Sequence, residues 1–136
     1  MPQTDTLTIL CFPPTGEVDL SGTRTALQLL AAKLALGTGT VQAEDIDTDY
    51  GQVALTRIHV FVAQAPVTIT ASLTDRSLSI AGAMSSLRGL AQEINEIADL
   101  ADGAHFHIEH YPDHPYLAEG SQPLVVNSPH GGMPAR

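Results

Sequence analysis

The sequence predicts an α+β domain in which an antiparallel sheet carries two helices on one face. Three observations point there. Two segments place apolar residues at helical spacing, and the short segments around them alternate apolar and polar residues as half-buried strands do. The order of these elements, β-β-α-β-β, also occurs twice, which suggests internal duplication of one unit.

Taken in order, Leu7 to Phe12 forms the first strand, Pro13-Pro14-Thr15-Gly16 turns the chain, and Glu17 to Leu20 returns it. Val18-Asp19-Leu20-Ser21-Gly22 leads into a helix over Thr23 to Leu36, with Leu27, Leu30 and Leu34 on one side and Gly37 and Gly39 as its stop. Thr40 to Ala43 and Ala54 to Ala63 complete the first half. In the second half Val67, Ile69, Ala71 and Leu73 alternate with Thr68, Thr70 and Ser72, and Thr74-Asp75-Arg76 turns into Ser77 to Ile80. Leu78-Ser79-Ile80-Ala81-Gly82 leads into Ala83 to Ala101, whose stripe is Leu87, Leu90, Ile94 and Ile97 and whose stop is Gly103. His105 to His110 and Pro123 to Asn127 follow. Both helices contain Leu-x-x-Leu-Ala, at Leu27 to Ala31 and Leu87 to Ala91. Residues 1–127 therefore read as one domain with halves of 5–64 and 65–127, and 128–136 as a flexible tail.

The 136 residues are 43% apolar, enough for a core, but only 4% aromatic, so Leu, Ile, Val and Ala must build it. Fifteen acidic against 6 basic side chains give a formal net charge of −9, which argues against nucleic acid or an anionic membrane as partner and favours a basic protein. A single cysteine, Cys11, rules out an intrachain disulfide, and no basic residue precedes the first apolar stretch as a signal peptide requires. The expected setting is the cytoplasm.

Chemistry-bearing residues are densest in His105-Phe106-His107-Ile108-Glu109-His110-Tyr111-Pro112-Asp113-His114. On a strand His105, His107 and Glu109 share one side, with Phe106 and Ile108 turned inward. Two imidazoles and a carboxylate there could ligate a divalent ion, with His114 as a further donor, but no second ligand cluster completes the set. Glu44-Asp45-Ile46-Asp47-Thr48-Asp49 is the main acidic run. Asp45, Asp47 and Asp49 imitate the start of a calcium-binding loop, yet Tyr50 and Thr56 stand where that loop needs Gly and Glu. The run reads as a solvated loop, or as the surface that imitates phosphate for a basic partner. Cys11 lies in an apolar strand, where an inert buried thiol is the default. Glu93, Glu96 and Asp99 read as the solvated side of the second helix. No nucleophile elbow, phosphate loop or acid–base pair is present, so neither catalysis nor a cofactor is expected.

The stretch from His105 to Val126, with His-x-His-φ-Glu followed by Tyr116-Leu117 and Ser121-x-Pro123-Leu124-Val125, resembles the immunity protein 32 family of bacterial polymorphic toxin systems, and Leu87-Arg-Gly-Leu-Ala91 is similar to that family's second helix. The resemblance covers about the last third of the chain. His110 replaces a Tyr, and Asp113 replaces a Gly, so that Pro112-Asp113 suits a type I turn where Pro-Gly suits type II. The resemblance implies an inhibitor that binds a cognate toxin inside the producing cell, and the acidic charge suggests a basic toxin such as a nuclease. The expected contact residues are Glu44, Asp45, Asp47, Asp49, His105, His107, Glu109, Tyr111 and His114. A divalent-metal-binding protein or metal-dependent enzyme using the His/Glu strand is the competing reading, and a structural or oligomerisation module that pairs through a sheet edge or face, a homodimer among its forms, is the third.

Overall fold

Thr23 starts the first helix, α1 (Arg24–Leu36), by accepting the Ala26 N–H on its Oγ1 at 3.1 Å, and Gly37 ends it in the left-handed region at φ 79 with its N–H on the Lys33 and Leu34 carbonyls. The second helix, α2 (Met84–Ala98), starts at Ala83 without a side-chain cap and ends at Asp99. Our computed structural model describes residues 7–13, 15–46, 48, 51–99, 105–114 and 116–127, and of His105 the backbone alone. The expected 128–136 tail lies outside them, as do Gly103, Asp47 and Asp49.

Among the described residues are nine strands: β1 (Leu7–Phe12), β2 (Glu17–Gly22), β3 (Thr38–Gln42), β4 (Val53–Leu55), β5 (Arg57–Val62), β6 (Thr68–Ser72), β7 (Ser77–Gly82), β8 (His105–Ile108) and β9 (Leu124–Asn127). The α+β class stands. The strands, however, divide into two sheets where one antiparallel sheet was expected, with orders β4-β1-β2-β9-β8 and β3-β5-β7-β6. Each is mixed, because β2 runs parallel to β9 and β5 parallel to β7. The periodicity that marks a strand says which face is buried and not which strand lies alongside, so it could not decide this.

Both sheets follow one plan, and each takes strands from both halves of the sequence. The β1-β2 hairpin is completed by β9 and β8, and the β6-β7 hairpin by β5 and β3. The registers correspond residue for residue. Ile9 opposite Leu20 matches Ile69 opposite Ile80; Leu20 beside Val126 matches Ile80 beside Val60; Ile108 opposite Leu124 matches Val41 opposite Ile58. The helices pack on each other, and each touches both sheets, α1 through β2 and β3, α2 through β7 and β9. Their buried stripes, Leu27, Leu30 and Leu34 against Leu87, Leu90 and Ile94, join Ile9, Leu20, Ile58, Ile69, Leu78 and Ile80 in one aliphatic core.

Polar side chains tie the exchange together. Asn127, only 6% exposed on interior strand β9, donates to Asp19 Oδ1 at 2.6 Å, Ser21 Oγ at 2.9 Å and the Leu20 carbonyl at 3.2 Å, all on β2. The segment before β9 runs along the free edge of β6. Val67 N–H donates to the Tyr116 carbonyl (2.8 Å), Ala118 N–H to the Val67 carbonyl (2.7 Å), Ile69 N–H to Ser121 Oγ (2.8 Å) and Ala71 N–H to Gln122 Oε1 (2.7 Å). Gln122 Nε2 then reaches across to the Gly16 carbonyl in the β1-β2 turn at 2.8 Å. These bonds satisfy an edge that would otherwise be open to pairing.

Candidate functional site

Chain exit from β8 builds the site. Ile108 pairs with Leu124 and is 2% exposed, whereas His107, opposite Val125, is exposed. Phe106 is half-buried against the core, so the expected inward and outward sides of this strand are the observed ones. Past Glu109 the chain turns through Tyr111-Pro112-Asp113-His114, closed by the His114 N–H on the Tyr111 carbonyl at 3.0 Å. Asp113 has φ 68, the left-handed third position of a type II turn. The type I expectation is therefore overturned, and Asp takes a backbone shape that suits Gly; a short polar side chain tolerates it better than most.

His114 sits between two phenol rings. Its centroid is 4.7 Å from those of both Tyr111, tilted at 51°, and Tyr116, edge-on at 85°. Its Nδ1 accepts the backbone N–H groups of Tyr116 (3.2 Å) and Leu117 (3.0 Å), which places the ring proton of the neutral form on Nε2. Burial lowers its pKa, nearby His110 pushes the same way, and Glu93 opposes them. The imidazole is neutral because its acceptor nitrogen is in use.

Helix α2 supplies the opposite wall. Glu93 is half-buried, and Tyr116 donates its hydroxyl hydrogen bond to Glu93 Oε1. Tyr116 is 7% exposed and packs on Gly89, where an added Cβ would stand 3.2 Å from Tyr116 Cδ2. Burial first, then the Glu93 carboxylate, pushes the phenol pKa far up, so Tyr116 is a proton donor at every working pH. Between these walls lies a cleft of about 310 Å³, lined by Glu93, His107, Ile108, Glu109, Tyr111, His114 and Tyr116.

Four of the sequence-derived contact residues, His107, Glu109, Tyr111 and His114, are thus brought together. The acidic run is not among them. Glu44 is exposed beyond β3, its N–H on the Leu7 carbonyl at 2.8 Å. Asp45 is engaged by Arg76, with Nη1 to Oδ2 at 3.3 Å and a closer contact from Nη2 to Oδ1, which lowers the Asp45 pKa and raises that of Arg76. Asp47, Asp49 and the His105 side chain lie outside the described residues. Sequence reasoning missed Glu93 and Tyr116. Glu93 was assigned to the solvated side of α2, but it borders the buried Ile94 and faces the cleft. Its position at the margin of the apolar stripe was the available signal.

Among the described residues no group of three His, Cys, Asp or Glu side chains is arranged to hold a metal ion. Cys11 is buried, which raises its pKa, as expected of an inert thiol. A second cleft of about 360 Å³ lies under α1, lined by Leu7, Ala26, Leu29, Lys33, Thr40, Val41 and Gln42. Among the described residues no helix is long and apolar enough to cross a membrane.

No curated protein and no solved structure matches the chain. A family model does, and it reaches further toward the N-terminus than the motif of residues 105–126: residues 77–129, which hold β7, α2, the cleft and β9, are similar to the family described as Immunity protein 32.

Proposed function

We propose that this protein is an immunity protein that binds a cognate toxin in the cytoplasm of the bacterium that makes both, and that it neutralises the toxin by occupying it, without chemistry of its own. The observation that carries the proposal is the family match over residues 77–129, which contains every residue that lines the β8–α2 cleft. The net charge of −9 supports a basic toxin, such as a nuclease, as the partner. The contact surface centres on His107, Glu109, Tyr111 and His114. Glu44 and Asp45 are secondary, since Asp45 is already paired with Arg76.

We infer further that the chain is one domain made by duplication of a β-β-α-β-β unit whose last strands changed partners, a reading supported by the matched registers of the two sheets. The functional proposal is tested by co-expressing the protein with the product of the neighbouring toxin-like gene and by pull-down of the pair. Rescue of growth together with a stable complex is expected. Failure to associate and failure to protect would refute it.

A further inference from the structure

We propose that the cleft between α2 and the 109–116 segment receives a single arginine side chain; that the arginine belongs to the neutralised toxin rests on the immunity reading above. The first reason is charge. Glu93 is half-buried, and its Oε1 is held by the Tyr116 hydroxyl. The ion pairs among the described residues are Arg24–Asp99 and Arg76–Asp45, so neither of these cations answers Glu93. A second carboxylate, Glu109, lines the same space. A cation arriving from outside meets two carboxylates facing one cleft, one of them half-buried and already oriented.

The second reason is shape. Tyr111 is 54% exposed beside these carboxylates, and neutral His114 lies against its ring at a tilt of 51°. A flat guanidinium can lie on that ring while giving two parallel N–H bonds to a carboxylate, which a compact ammonium cannot do. Because Tyr116 orients Glu93 in advance, little ordering remains for the incoming group to impose.

The third reason is the comparison the molecule provides within itself. The cleft under α1 occupies the matching place in the other half, yet Lys33 stands before Leu34 there as Glu93 stands before Ile94. Thr40 and Gln42 flank Val41 where His107 and Glu109 flank Ile108, and no aromatic side chain lines it. The fold therefore builds the hollow twice without requiring carboxylates or tyrosines in it. They are a property of one cleft.

The probe is N-acetyl-arginine methylamide, titrated into the ¹⁵N-labelled full chain, with N-acetyl-norvaline methylamide as the neutral control. Saturable shifts of the Ile108, Tyr116 and Leu117 amides are expected with the arginine compound alone. Glu93→Gln should weaken Kd by about tenfold or more, and Tyr111→Ala by about threefold, while Lys33→Ala leaves it unchanged. Gln can still accept the Tyr116 hydroxyl, and Tyr111 is a surface residue, so at least one variant reports on a folded protein. Absence of saturable shifts, or an unchanged Kd in both cleft variants, would overturn the proposal. Protection from the toxin without probe binding overturns the arginine site and keeps the immunity reading. Probe binding without protection keeps the site and overturns the immunity reading.

Discussion

Replacing Gln122 by Ala tests whether the two sheets are fastened where the structure joins them. The side chain accepts the Ala71 N–H at 2.7 Å beside β6 and donates to the Gly16 carbonyl at 2.8 Å in the β1-β2 turn, so one residue links an edge of one sheet to a hairpin of the other. Each half-buried bond contributes about 1 kcal/mol net, so the loss is about 2 kcal/mol. At this chain length that lowers Tm by roughly 6–8 °C, and with a urea slope near 2 kcal/mol per molar the midpoint falls by about 1 M. The protein has no Trp, so urea unfolding is best followed by far-ultraviolet circular dichroism. Gln122→Met keeps the aliphatic bulk and loses both bonds; it should match Ala within about 0.5 kcal/mol. If both variants unfold within about 0.5 kcal/mol of the parent, this fastening contributes nothing and the reasoning fails.

Three further outcomes follow from local geometry. Gly82→Ala should destabilise by about 1–3 kcal/mol in thermal or urea unfolding, because its Cβ would stand 2.9 Å from Val67 Cα and 3.0 Å from Val67 N, backbone atoms that cannot turn aside. Asp113→Gly, at φ 68, should stabilise by about 0.5–1 kcal/mol, measured the same way; a loss would mean that the Asp side chain holds the turn. His114 has a lowered folded-state pKa, so the folded protein binds fewer protons than the unfolded chain in that window. Its contribution is present above the ordinary value of 6.5 and is lost as pH falls through the lowered one. The fall in stability on acidification through that window should flatten in His114→Gln, and an unchanged slope in a pH series of urea curves would contradict the assignment.

Much of the element order was legible because it depends on neighbours in sequence. The stripe Leu27, Leu30, Leu34 and the alternation at Thr68–Ser72 identify their elements alone, and Gly37 ends α1 where expected. Boundaries moved where tertiary pairing decides. Ala54 to Ala63 reads as one strand but breaks at Thr56, whose N–H and hydroxyl both donate to the Arg76 carbonyl, so that β4 joins one sheet and β5 the other. Sheet membership was illegible for a related reason. The two halves carry nearly the same apolar pattern, so a strand from either fits the hairpin of either, and periodicity does not choose between them. Within the site, His107 and Glu109 stood out by residue type. Glu93 did not, since its role depends on Tyr116 arriving from the far side of the turn.

The crossing of strands between halves has a consequence for how the chain acquires its shape. The interior place between β2 and β8 is filled by β9, the last of the described strands in chain order, while β5 fills the matching place beside β7. A nascent chain that has emerged only as far as α2 can close the second sheet but leaves the β2 edge of the first without its neighbour. Such an intermediate shows a bare hairpin flank to any other strand nearby. Completion therefore waits for Leu124 to Asn127, and deleting those few residues should cost far more than their number suggests, because it unseats an interior strand and exposes the core beneath it.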